Sequence, residues 1–274
     1  MDECSLYPIY RWSMELRLDG RSALITGGSK GLGRAMAETF ASAGANVSVI
    51  ARDKFALGQT LSALQTANPS GNHLAISADV SQPNAIAEAY EESKQTFGVI
   101  DILVNNAGTS NAKPFLDVTD DDWMSDFDLK FFSAARLCRL CIPDMQERKW
   151  GRIINTLNSA AKAPGAKTCP TSVARAAGMA LTKALATEFA SDGVLINALN
   201  TGLIVSEQWR TRWSNLESDE SFEQFIEKMG SGIPAGRMGD PQEFANLALF
   251  LASDAASYVT GTSINIDGGL TPVV

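Results

Sequence analysis

A glycine-rich segment near the start of the chain has the residue types and the spacing of a turn that binds nucleotide phosphates. The segment, at 26–33, follows the apolar run 22–25 and precedes a stretch with helical spacing. Glycine lets the backbone turn tightly and approach a pyrophosphate, whose charge then faces the free N–H groups of the helix start. The pattern is Gly-x3-Gly-x-Gly, and an ordinary turn between strand and helix is the alternative. The residues predicted to form the phosphate site are Gly27, Ser29, Lys30, Gly31, Leu32 and Gly33.

The second apolar run, 47–51, ends in residues that would distinguish two related coenzymes. Arg52 and Asp53 follow it. An arginine at this strand end pairs with a ribose 2′-phosphate, whereas a carboxylate there accepts hydrogen bonds from a free 2′-OH. Lys30 adds a second cation on the same side. The sequence therefore favours NADP(H) as cofactor, and Asp53 leaves NAD(H) as the alternative.

Asp79 and Val80 follow the third apolar run, 74–77. At the end of a parallel strand, a carboxylate can cap the adenine edge of a bound nucleotide. The alternative is that Asp79 begins the next helix as its N-cap, a position that favours aspartate. We predict cofactor contact at both residues, with helix capping left open.

Composition limits the classes of protein to which the chain can belong. Of its 274 residues, 45% are hydrophobic and 20% charged, which suits one globular domain with a large core. The net charge of −8 argues against nucleic acid as the main partner, because phosphate backbones are bound by basic surfaces. No apolar run reaches the roughly 18 residues that span a bilayer, and the first residues do not have the order of a secretory signal. We expect a cytoplasmic protein with no membrane partner.

The four cysteines are too few and too scattered for a disulfide framework, so reduced thiols are expected. Cys138 and Cys141 stand within a helical pattern at a spacing that places them on one face. Packing is the favoured role, and redox or metal chemistry is the alternative. His73 has no partner at a ligand spacing, and the sequence predicts no metal site.

Strand-like apolar runs alternate with helical patterns along the chain. The runs are apolar throughout, as expected when helices cover both faces of a parallel sheet. The pattern predicts a doubly wound α/β fold built on a seven-stranded parallel sheet. The predicted strands are 22–26, 47–51, 74–77, 100–104, 152–157, 194–198 and 263–266, and the predicted helices lie near 32–43, 54–66, 83–97, 120–148, 171–191 and 241–252.

A single domain is predicted to occupy 17–274, preceded by an N-terminal extension at 1–16. An insertion at about 205–235 carries Trp209 and Trp213 among other aromatic residues at partly helical spacing. We predict that this insertion is a lid over the substrate and that its apolar lining suits a hydrophobic or aromatic small molecule. The alternative is a lid whose aromatic residues pack only on their own domain.

Further segments occur in a fixed order after the glycine-rich turn. They are Asn-Asn-Ala-Gly at 105–108, Gly-Ile-Pro-Ala-Gly-Arg-Met-Gly at 232–239, and Val-Thr-Gly with Ile-Asp-Gly-Gly within 259–269. With them the chain resembles, over about 17–270, the short-chain dehydrogenase/reductase family, and within it the reductases of the 3-oxoacyl-[acyl-carrier-protein] type. The resemblance implies a Rossmann fold, and it assigns to the cofactor Asn106, Ala107, Gly108, Gly202 and Ile204.

The resemblance also implies an assembly. In that family two long helices pair with their copies in dimers, and dimers join through the region of the last strand. The corresponding helices here are 120–148 and 171–191. A homotetramer is therefore expected on the resemblance alone.

The active site of that family uses a tyrosine, a lysine four residues later, a serine about a dozen residues before the tyrosine, and an asparagine on the preceding long helix. This chain departs at most of these positions. Matching the two long helices places Lys130 at the asparagine, Thr171 at the tyrosine and Arg175 at the lysine. Ser159 meets the serine position, with Asn158 beside it.

The loss of the phenol changes the chemistry that is available. No tyrosine stands between 91 and 257. A threonine hydroxyl is far too weak an acid to be tuned toward neutrality as a phenol is, and Arg175 keeps its charge near neutral pH. General acid catalysis is typically worth about 10²–10⁴ in rate, so another donor must act if the reaction is to stay fast.

Lys130 is the candidate donor, because burial or the nearby charge of Arg175 would make its ammonium more acidic. The alternative is that Lys130 fills the place of the asparagine or pairs with Asp126. Ser159 is predicted to polarise a substrate oxygen, or else to cap the end of a strand. Thr171 is predicted to donate a hydrogen bond to the substrate, or else to cap its helix.

Three functions follow from these residues. The favoured one is an NADP(H)-dependent oxidoreductase that transfers a hydride between nicotinamide and a carbonyl or alcohol, with a rebuilt site of Lys130, Ser159, Thr171 and Arg175. The second is a nucleotide-binding protein whose active site has decayed. The third is an enzyme that uses the same pocket for isomerisation, cyclisation or double-bond reduction.

Overall fold

The structure, a computed structural model, describes residues 16–216 and 219–274. Its strands are β1 (Ser22–Thr26), β2 (Asn46–Ala51), β3 (His73–Ser77), β4 (Ile102–Asn105), β5 (Ala112–Lys113), β6 (Gly151–Asn158), β7 (Cys169–Pro170), β8 (Val194–Thr201) and β9 (Ser263–Ile266). Seven of them form one parallel sheet in the order β3-β2-β1-β4-β6-β8-β9, which confirms the predicted sheet. The two-residue strands β5 and β7 pair separately and antiparallel, and the sequence pattern did not predict them.

Helices cover both faces of this sheet, because the apolar side chains of each strand point alternately to one face and the other. One buried cluster packs the helices Gly31–Ser42, Lys54–Ala67 and Pro241–Ala252 against the sheet, and a second packs the helices Pro83–Phe97, Ser133–Glu147 and Thr171–Phe189. The doubly wound α/β fold is therefore confirmed. The helices are α1 (Gly31–Ser42), α2 (Lys54–Ala67), α3 (Pro83–Phe97), α4 (Asp120–Phe127), α5 (Ser133–Glu147), α6 (Thr171–Phe189), α7 (Glu207–Ser214), α8 (Phe222–Gly230) and α9 (Pro241–Ala252).

The predicted helix 120–148 is interrupted between α4 and α5. A π-helical turn at Asp128–Phe132 separates them, and the N–H of Ser133 donates to the carbonyl oxygen of Asp128, five residues back. Such a turn holds one residue more than an α-helical turn and is often found at functional sites. The predicted extent of the helix is confirmed. Its α-helical geometry is broken by the π-helical turn, which was not predicted and which contains Lys130.

Cys138 and Cys141 are buried side by side in the core between α5 and the sheet. Burial raises the pKa of the Cys138 thiol to about 12 and the pKa of Cys141 well above its usual value. A thiol that stays protonated is a poor nucleophile and a poor metal ligand. The packing role predicted for this pair is therefore confirmed.

The predicted extension 1–16 lies, apart from Leu16, outside the described residues, so the boundary at 17 stays a prediction. Among the residues that the structure describes, no helix is both long and apolar enough to cross a bilayer. The expected cytoplasmic location also stays a prediction.

Candidate active site

A cavity of about 890 Å³ lies at the carboxyl ends of the parallel strands, the edge at which doubly wound sheets bind their ligands. Three of the predicted site residues, Lys130, Ser159 and Trp213, are not part of its wall. The predicted residues that do line it are Gly27, Ser29, Lys30, Gly31, Leu32, Gly33, Arg52, Asp79, Val80, Asn106, Ala107, Gly108, Thr171, Arg175, Gly202, Ile204 and Trp209.

The glycine-rich turn between β1 and α1 presents the start of α1 to the cavity. Gly27 and Gly31 have φ values of +66° and +55°, in the left-handed region that glycine tolerates. A Cβ on Gly33 would lie 2.2 Å from the carbonyl oxygen of Gly27. Lys30 occupies the N-cap of α1 without a side-chain capping bond. The helix start therefore keeps N–H groups that suit a phosphate.

Asn106 ties this turn to the end of β4. Its Nδ2 donates to the carbonyl oxygens of Thr26 at 2.9 Å and Gly27 at 3.3 Å. The backbone N–H groups of Asn106 and Ala107 donate to the hydroxyl of Thr26 at 2.9 and 3.0 Å. Thr26 was missed in the sequence because its role depends on partners 80 positions away.

At the end of β2 the two predicted cations, Lys30 and Arg52, differ in their surroundings. The Nζ of Lys30 lies 2.8 Å from a carboxylate oxygen of Asp53, whose other oxygen caps α2 by accepting from the N–H groups of Phe55 and Ala56. Arg52 is exposed and lacks an ion-pair partner within the described chain. The carboxylate that would read a free 2′-OH is thus already engaged.

Asp79 does not cap the helix that follows it. Gln82 is the N-cap of α3, and Asp79 instead accepts hydrogen bonds from the N–H and the hydroxyl of Ser81, at 2.9 and 2.8 Å. The capping alternative was therefore wrong. Asp79 and Val80 line the cavity, and their contact with a cofactor stays a prediction.

The loop after β8 closes another side of the cavity. The N–H of Gly202 donates to the carbonyl oxygen of Ile266 at 2.9 Å, and a Cβ on Gly202 would lie 2.4 Å from the Cβ of Asp267. Ile204 forms a parallel bridge with Gly239. Glycine is needed at 202 because the chain end after β9 packs directly on its backbone.

Lys130 lies in the π-helical turn, buried behind the cavity wall. Its ammonium forms an ion pair with the carboxylate of Asp126, and its Nζ donates to Thr171 Oγ1 at 3.2 Å. Burial lowers the pKa of Lys130 below its usual value; the contact with Asp126 opposes this shift, and the charge of Arg175 adds to it. The predicted pairing with Asp126 is confirmed, and the contact with Thr171 keeps the role as donor open.

Thr171 is the first residue of α6, and Pro170 is the N-cap. The predicted capping alternative for Thr171 was therefore wrong. Its Oγ1 accepts from the N–H of Asn111 at 2.8 Å and from Lys130 at 3.2 Å. A hydroxyl has two acceptor positions and one hydrogen. With both positions used, the hydrogen of Thr171 is left for a group in the cavity.

Arg175 lies one helical turn further along α6. Its guanidinium donates to the carbonyl oxygen of Thr156, and a Cβ on Gly108 would lie 2.4 Å from its Nη2. Burial lowers the pKa of Arg175 to about 10, although Asp126 opposes the shift, so the side chain is charged at neutral pH. Arg175 Nε and Thr156 Oγ1 are buried and have no hydrogen-bond partner among the residues that the structure describes. Since buried polar atoms nearly always have partners, these atoms suit the polar groups of a ligand.

Asn158, rather than Ser159, is the polar residue that β6 brings to the cavity. Asn158 ends the strand and lines the cavity, and its buried Oδ1 has no hydrogen-bond partner in the described part of the chain. Ser159 begins a short turn, where its carbonyl oxygen accepts from the N–H groups of Lys162 and Ala163. One step along a strand reverses the direction of the side chain, so the assignment to Ser159 is displaced by one residue.

The lid predicted at 205–235 contains α7 and α8. Trp209 lines the cavity, and its ring centroid lies 6.3 Å from that of Phe225 on α8. Trp213 packs at 5.7 Å against Phe222, and its Nε1 donates to the carbonyl oxygen of Glu220 at 2.9 Å. Trp209 is therefore placed to meet a ligand, whereas Trp213 holds the lid helices together.

The tyrosines in the described parts of the chain are Tyr90 and Tyr258. The hydroxyl of Tyr90 donates to the carboxylate of Asp144, and Tyr258 is fully exposed. Neither residue lines the cavity. The described chain therefore presents no phenol to it.

Comparison with known proteins places these features in context. A family model described as Enoyl-(Acyl carrier protein) reductase matches residues 27–271. The 3-oxoacyl-[acyl-carrier-protein] reductase FabG of Escherichia coli K12 is 34% identical over 256 residues, which is 93% of this chain and 99% of that protein.

Two solved structures are also similar. The L-sorbose reductase of Gluconobacter frateurii, complexed with NADPH and L-sorbose, has a TM-score of 0.91 at 32% identity over 95% of this chain and 100% of the other. A short chain oxidoreductase of Pseudomonas aeruginosa PAO1, described as containing an atypical catalytic center, has a TM-score of 0.88 at 35% identity. The alignment with it covers 94% of this chain and 100% of the other.

Proposed function

The chain belongs to the short-chain dehydrogenase/reductase family, and from this premise we propose that it transfers a hydride between NADP(H) and a carbonyl or alcohol substrate. One observation carries the proposal: the Thr171 hydroxyl reaches a dinucleotide-sized cavity with its hydrogen free and the Lys130 ammonium 3.2 Å behind its oxygen. A hydrogen-bond donor with a cation behind it can stabilise the negative charge that develops on a reduced carbonyl oxygen.

NADP(H) is the proposed cofactor. The free N–H groups at the start of α1 suit its pyrophosphate. Arg52, which forms no salt bridge within the described residues, suits its 2′-phosphate. The reductase of Gluconobacter frateurii, 32% identical, was crystallised with NADPH. When bound, the reduced nicotinamide supplies a hydride, and the residues of this chain must supply the proton.

We assign the proton to Lys130, delivered through Thr171. The Lys130 side chain is 0% exposed, so the hydroxyl of Thr171 stands between its ammonium and the cavity. The hydroxyl gives its hydrogen to the substrate oxygen as it receives one from Lys130, and it never exists as a free alkoxide. This route avoids the high pKa that excludes threonine as an independent acid.

Arg175 and the end of β6 complete the site. Arg175 keeps a charged guanidinium beside Gly108, where it can bind the cofactor ribose and favour negative charge. Asn158 takes the role predicted for Ser159, since its side-chain amide lines the cavity and can donate to a substrate oxygen.

The substrate is proposed to be a hydrophobic or aromatic small molecule. Trp209, Leu203 and Leu129 line the cavity together with the polar groups described above. Apolar walls with a few placed polar groups are typical of small-molecule sites. Nothing narrower about the substrate or the direction of the reaction is proposed.

The predicted homotetramer is also kept as a proposal. Met124 on α4, Phe132 in the π-helical turn and Val173 on α6 are 59%, 39% and 41% exposed. Apolar side chains grouped on such helices favour a contact with another chain. These helices correspond to the dimer interface that the family resemblance implies.

Absorbance of the reduced nicotinamide, followed by stopped flow with a panel of aromatic and medium-chain ketones, tests the proposed function. The pair Thr171→Val and Thr171→Ser isolates the hydroxyl. We expect oxidation of NADPH by the unsubstituted protein and by the serine variant, with a loss of about 10²–10⁴-fold in the valine variant. The 35% identical Pseudomonas aeruginosa oxidoreductase, itself described as having an atypical catalytic center, supports an active enzyme with unusual residues.

A nucleotide-binding protein without turnover is the second candidate. Two observations favour it. The positive charge of Lys130 is already balanced by the carboxylate of Asp126, and no described tyrosine lines the cavity. Tight binding of NADPH without oxidation by any ketone would favour it. Conversion of substrate without net use of NADPH would favour isomerisation or cyclisation instead.

A further inference from the structure

Asp126 supplies the carboxylate that holds Lys130. The two side chains are 2% and 0% exposed, and they stand one turn apart across the start of the π-helical turn. The helix does not need Asp126 for its own formation, because Thr119 and Asp122 already form a capping box at the start of α4. Helix capping therefore does not explain why Asp126 is buried beside Lys130.

A gain in the stability of the fold is also a weak explanation for this buried ion pair. One oxygen of Asp126, Oδ2, is buried, and no group within 16–216 or 219–274 forms a hydrogen bond with it. Removing two charges from water costs more than a pair with imperfect partners regains, and an apolar pair of similar volume is often as stable or more so. A buried charge beside a catalytic donor therefore points to a role in the chemistry.

We propose that Asp126 is a positioning residue for proton delivery: its carboxylate keeps the Lys130 ammonium protonated and directed at the hydroxyl of Thr171. The proposal rests on the proposed function. In that reaction the carbonyl carbon receives a hydride from the reduced coenzyme, and its oxygen receives the proton of Thr171. Thr171 takes a proton from Lys130, which is left as a neutral amine and is reprotonated from solvent through the same hydroxyl.

The charges that act on Lys130 come from two helices. Asp126 on α4 favours the ammonium, and Arg175 on α6 opposes it. Without Asp126, two cations would face each other in a buried site, and the ammonium would lose its proton more readily. The neighbouring elements also carry Cys169 on β7 and two ion pairs, Lys113 with Asp122 and Arg136 with Asp128, among other titratable side chains. Asp126 and Arg175 are the charged groups that shift the pKa of Lys130.

The test follows the Lys130 ammonium directly, by NMR of the whole protein labelled with ¹⁵N-lysine, with the signal assigned by its loss in Lys130→Met. The variant is Asp126→Asn, which keeps the shape and removes the charge. The matched control is Asp128→Asn, which removes a carboxylate paired with Arg136 at 3.0 Å outside the cavity wall. We expect Lys130 to titrate at least about one pH unit lower in Asp126→Asn, a tenfold loss of proton affinity, and to titrate normally in Asp128→Asn.

Activity supplies the second readout. The alkaline limb of the kcat profile for ketone reduction should move by the same amount in Asp126→Asn, with little change in KM. An identical titration of Lys130 in all three proteins overturns the proposal, as does a rise in KM with an unmoved pH profile.

Two further outcomes are decided by the same design. If Asp126→Asn does not fold, the variant Asp126→Glu replaces it. This substitution keeps the negative charge but moves it by one methylene group. The proposal then requires that Lys130 titrates normally and that kcat is reduced. If the unsubstituted protein reduces no ketone, the proposed function fails, and the NMR titration alone decides whether Asp126 keeps Lys130 protonated.

Discussion

The ammonium of Lys30 lies 2.8 Å from the carboxylate of Asp53, so the two side chains form an ion pair at the mouth of the cofactor cavity. Asp53 is held further by the N–H groups at the start of α2, which it caps. Arg52, which lies between β2 and α2, has no ion-pair partner in the part of the chain that is described. Of the two cations that the sequence placed here, Arg52 is the one available to a 2′-phosphate.

The first prediction concerns coenzyme choice. Arg52→Ala should weaken NADPH binding by about 10–100-fold, since hydrogen bonds to charged groups contribute about 1.5–3 kcal/mol. NADH binding should change little, because NADH lacks the phosphate. Calorimetric titration of both coenzymes measures this, with Lys54→Ala as control, because Lys54 is exposed but does not line the cavity. Equal losses for NADPH and NADH would contradict the assignment.

The second prediction concerns the glycine-rich turn. Gly33→Ala would place a methyl group 2.2 Å from the carbonyl oxygen of Gly27, so the turn must shift and coenzyme affinity should fall at least about tenfold. Gly58→Ala is the matched control: Gly58 lies inside α2 with open space around its Cα. That control should bind coenzyme normally and gain about 0.5–1 kcal/mol in stability. Coenzyme fluorescence measures the binding, and thermal unfolding measures the stability. Normal coenzyme binding by Gly33→Ala would show that the glycine-rich turn does not bind the phosphates.

The third prediction concerns pH. The pKa of Lys130 is lowered from 10.5, mainly by burial. A donor of this kind is active below its pKa, so kcat for ketone reduction should fall as pH rises through a value below 10.5. Lys130→Arg, whose guanidinium keeps its proton to higher pH than an ammonium in the same place, should move that decline to higher pH, and Lys130→Met should be slow at every pH. A decline that persists unchanged in Lys130→Arg belongs to another group. Lys113→Arg, at a paired lysine away from the wall, serves as control.

Much of the cofactor side could be predicted because each of its parts is a short contiguous segment. The glycine-rich turn, the pair at Arg52 and Asp53, and the turn at 105–108 each follow one strand. Parallel strands bring their carboxyl ends to one edge of a sheet, so the fold alone assembles these segments. The prediction needed only the strands and their parallel direction, which the apolar runs and the helices between them indicate.

The residues proposed for catalysis depend on contacts that no local pattern records. Lys130 and Thr171 meet across 41 positions, and Asn111 reaches Thr171 across 60. The π-helical turn that directs Lys130 inward has no sequence signal, because helical periodicity continues on both sides of it. The exchange of Ser159 for Asn158 has a similar origin: a single step at a strand end changes which side chain faces the cavity.

The fourth prediction concerns assembly. Sedimentation of the unsubstituted protein should give a homotetramer, and Phe132→Asp should shift it toward smaller species by placing a charge in an apolar contact. Phe55→Asp is the control, because Phe55 is 77% exposed on α2, away from the proposed contact. A monomer in the unsubstituted protein at micromolar concentration would remove the assembly proposal and leave the site unaffected.

The last prediction separates the two tryptophans of the lid. Trp209 lines the cavity, so Trp209→Ala should raise KM for an aromatic ketone by about 10–100-fold, as expected from the roughly 1.5–3 kcal/mol gained by burying a large apolar side chain. Trp213 packs on Phe222 and bonds to Glu220 instead, so Trp213→Ala should lower the unfolding temperature and change KM less. Steady-state kinetics and calorimetry on the two variants measure these effects side by side. A KM in Trp209→Ala equal to that of the unsubstituted protein would mean that the Trp209 ring does not contact the substrate.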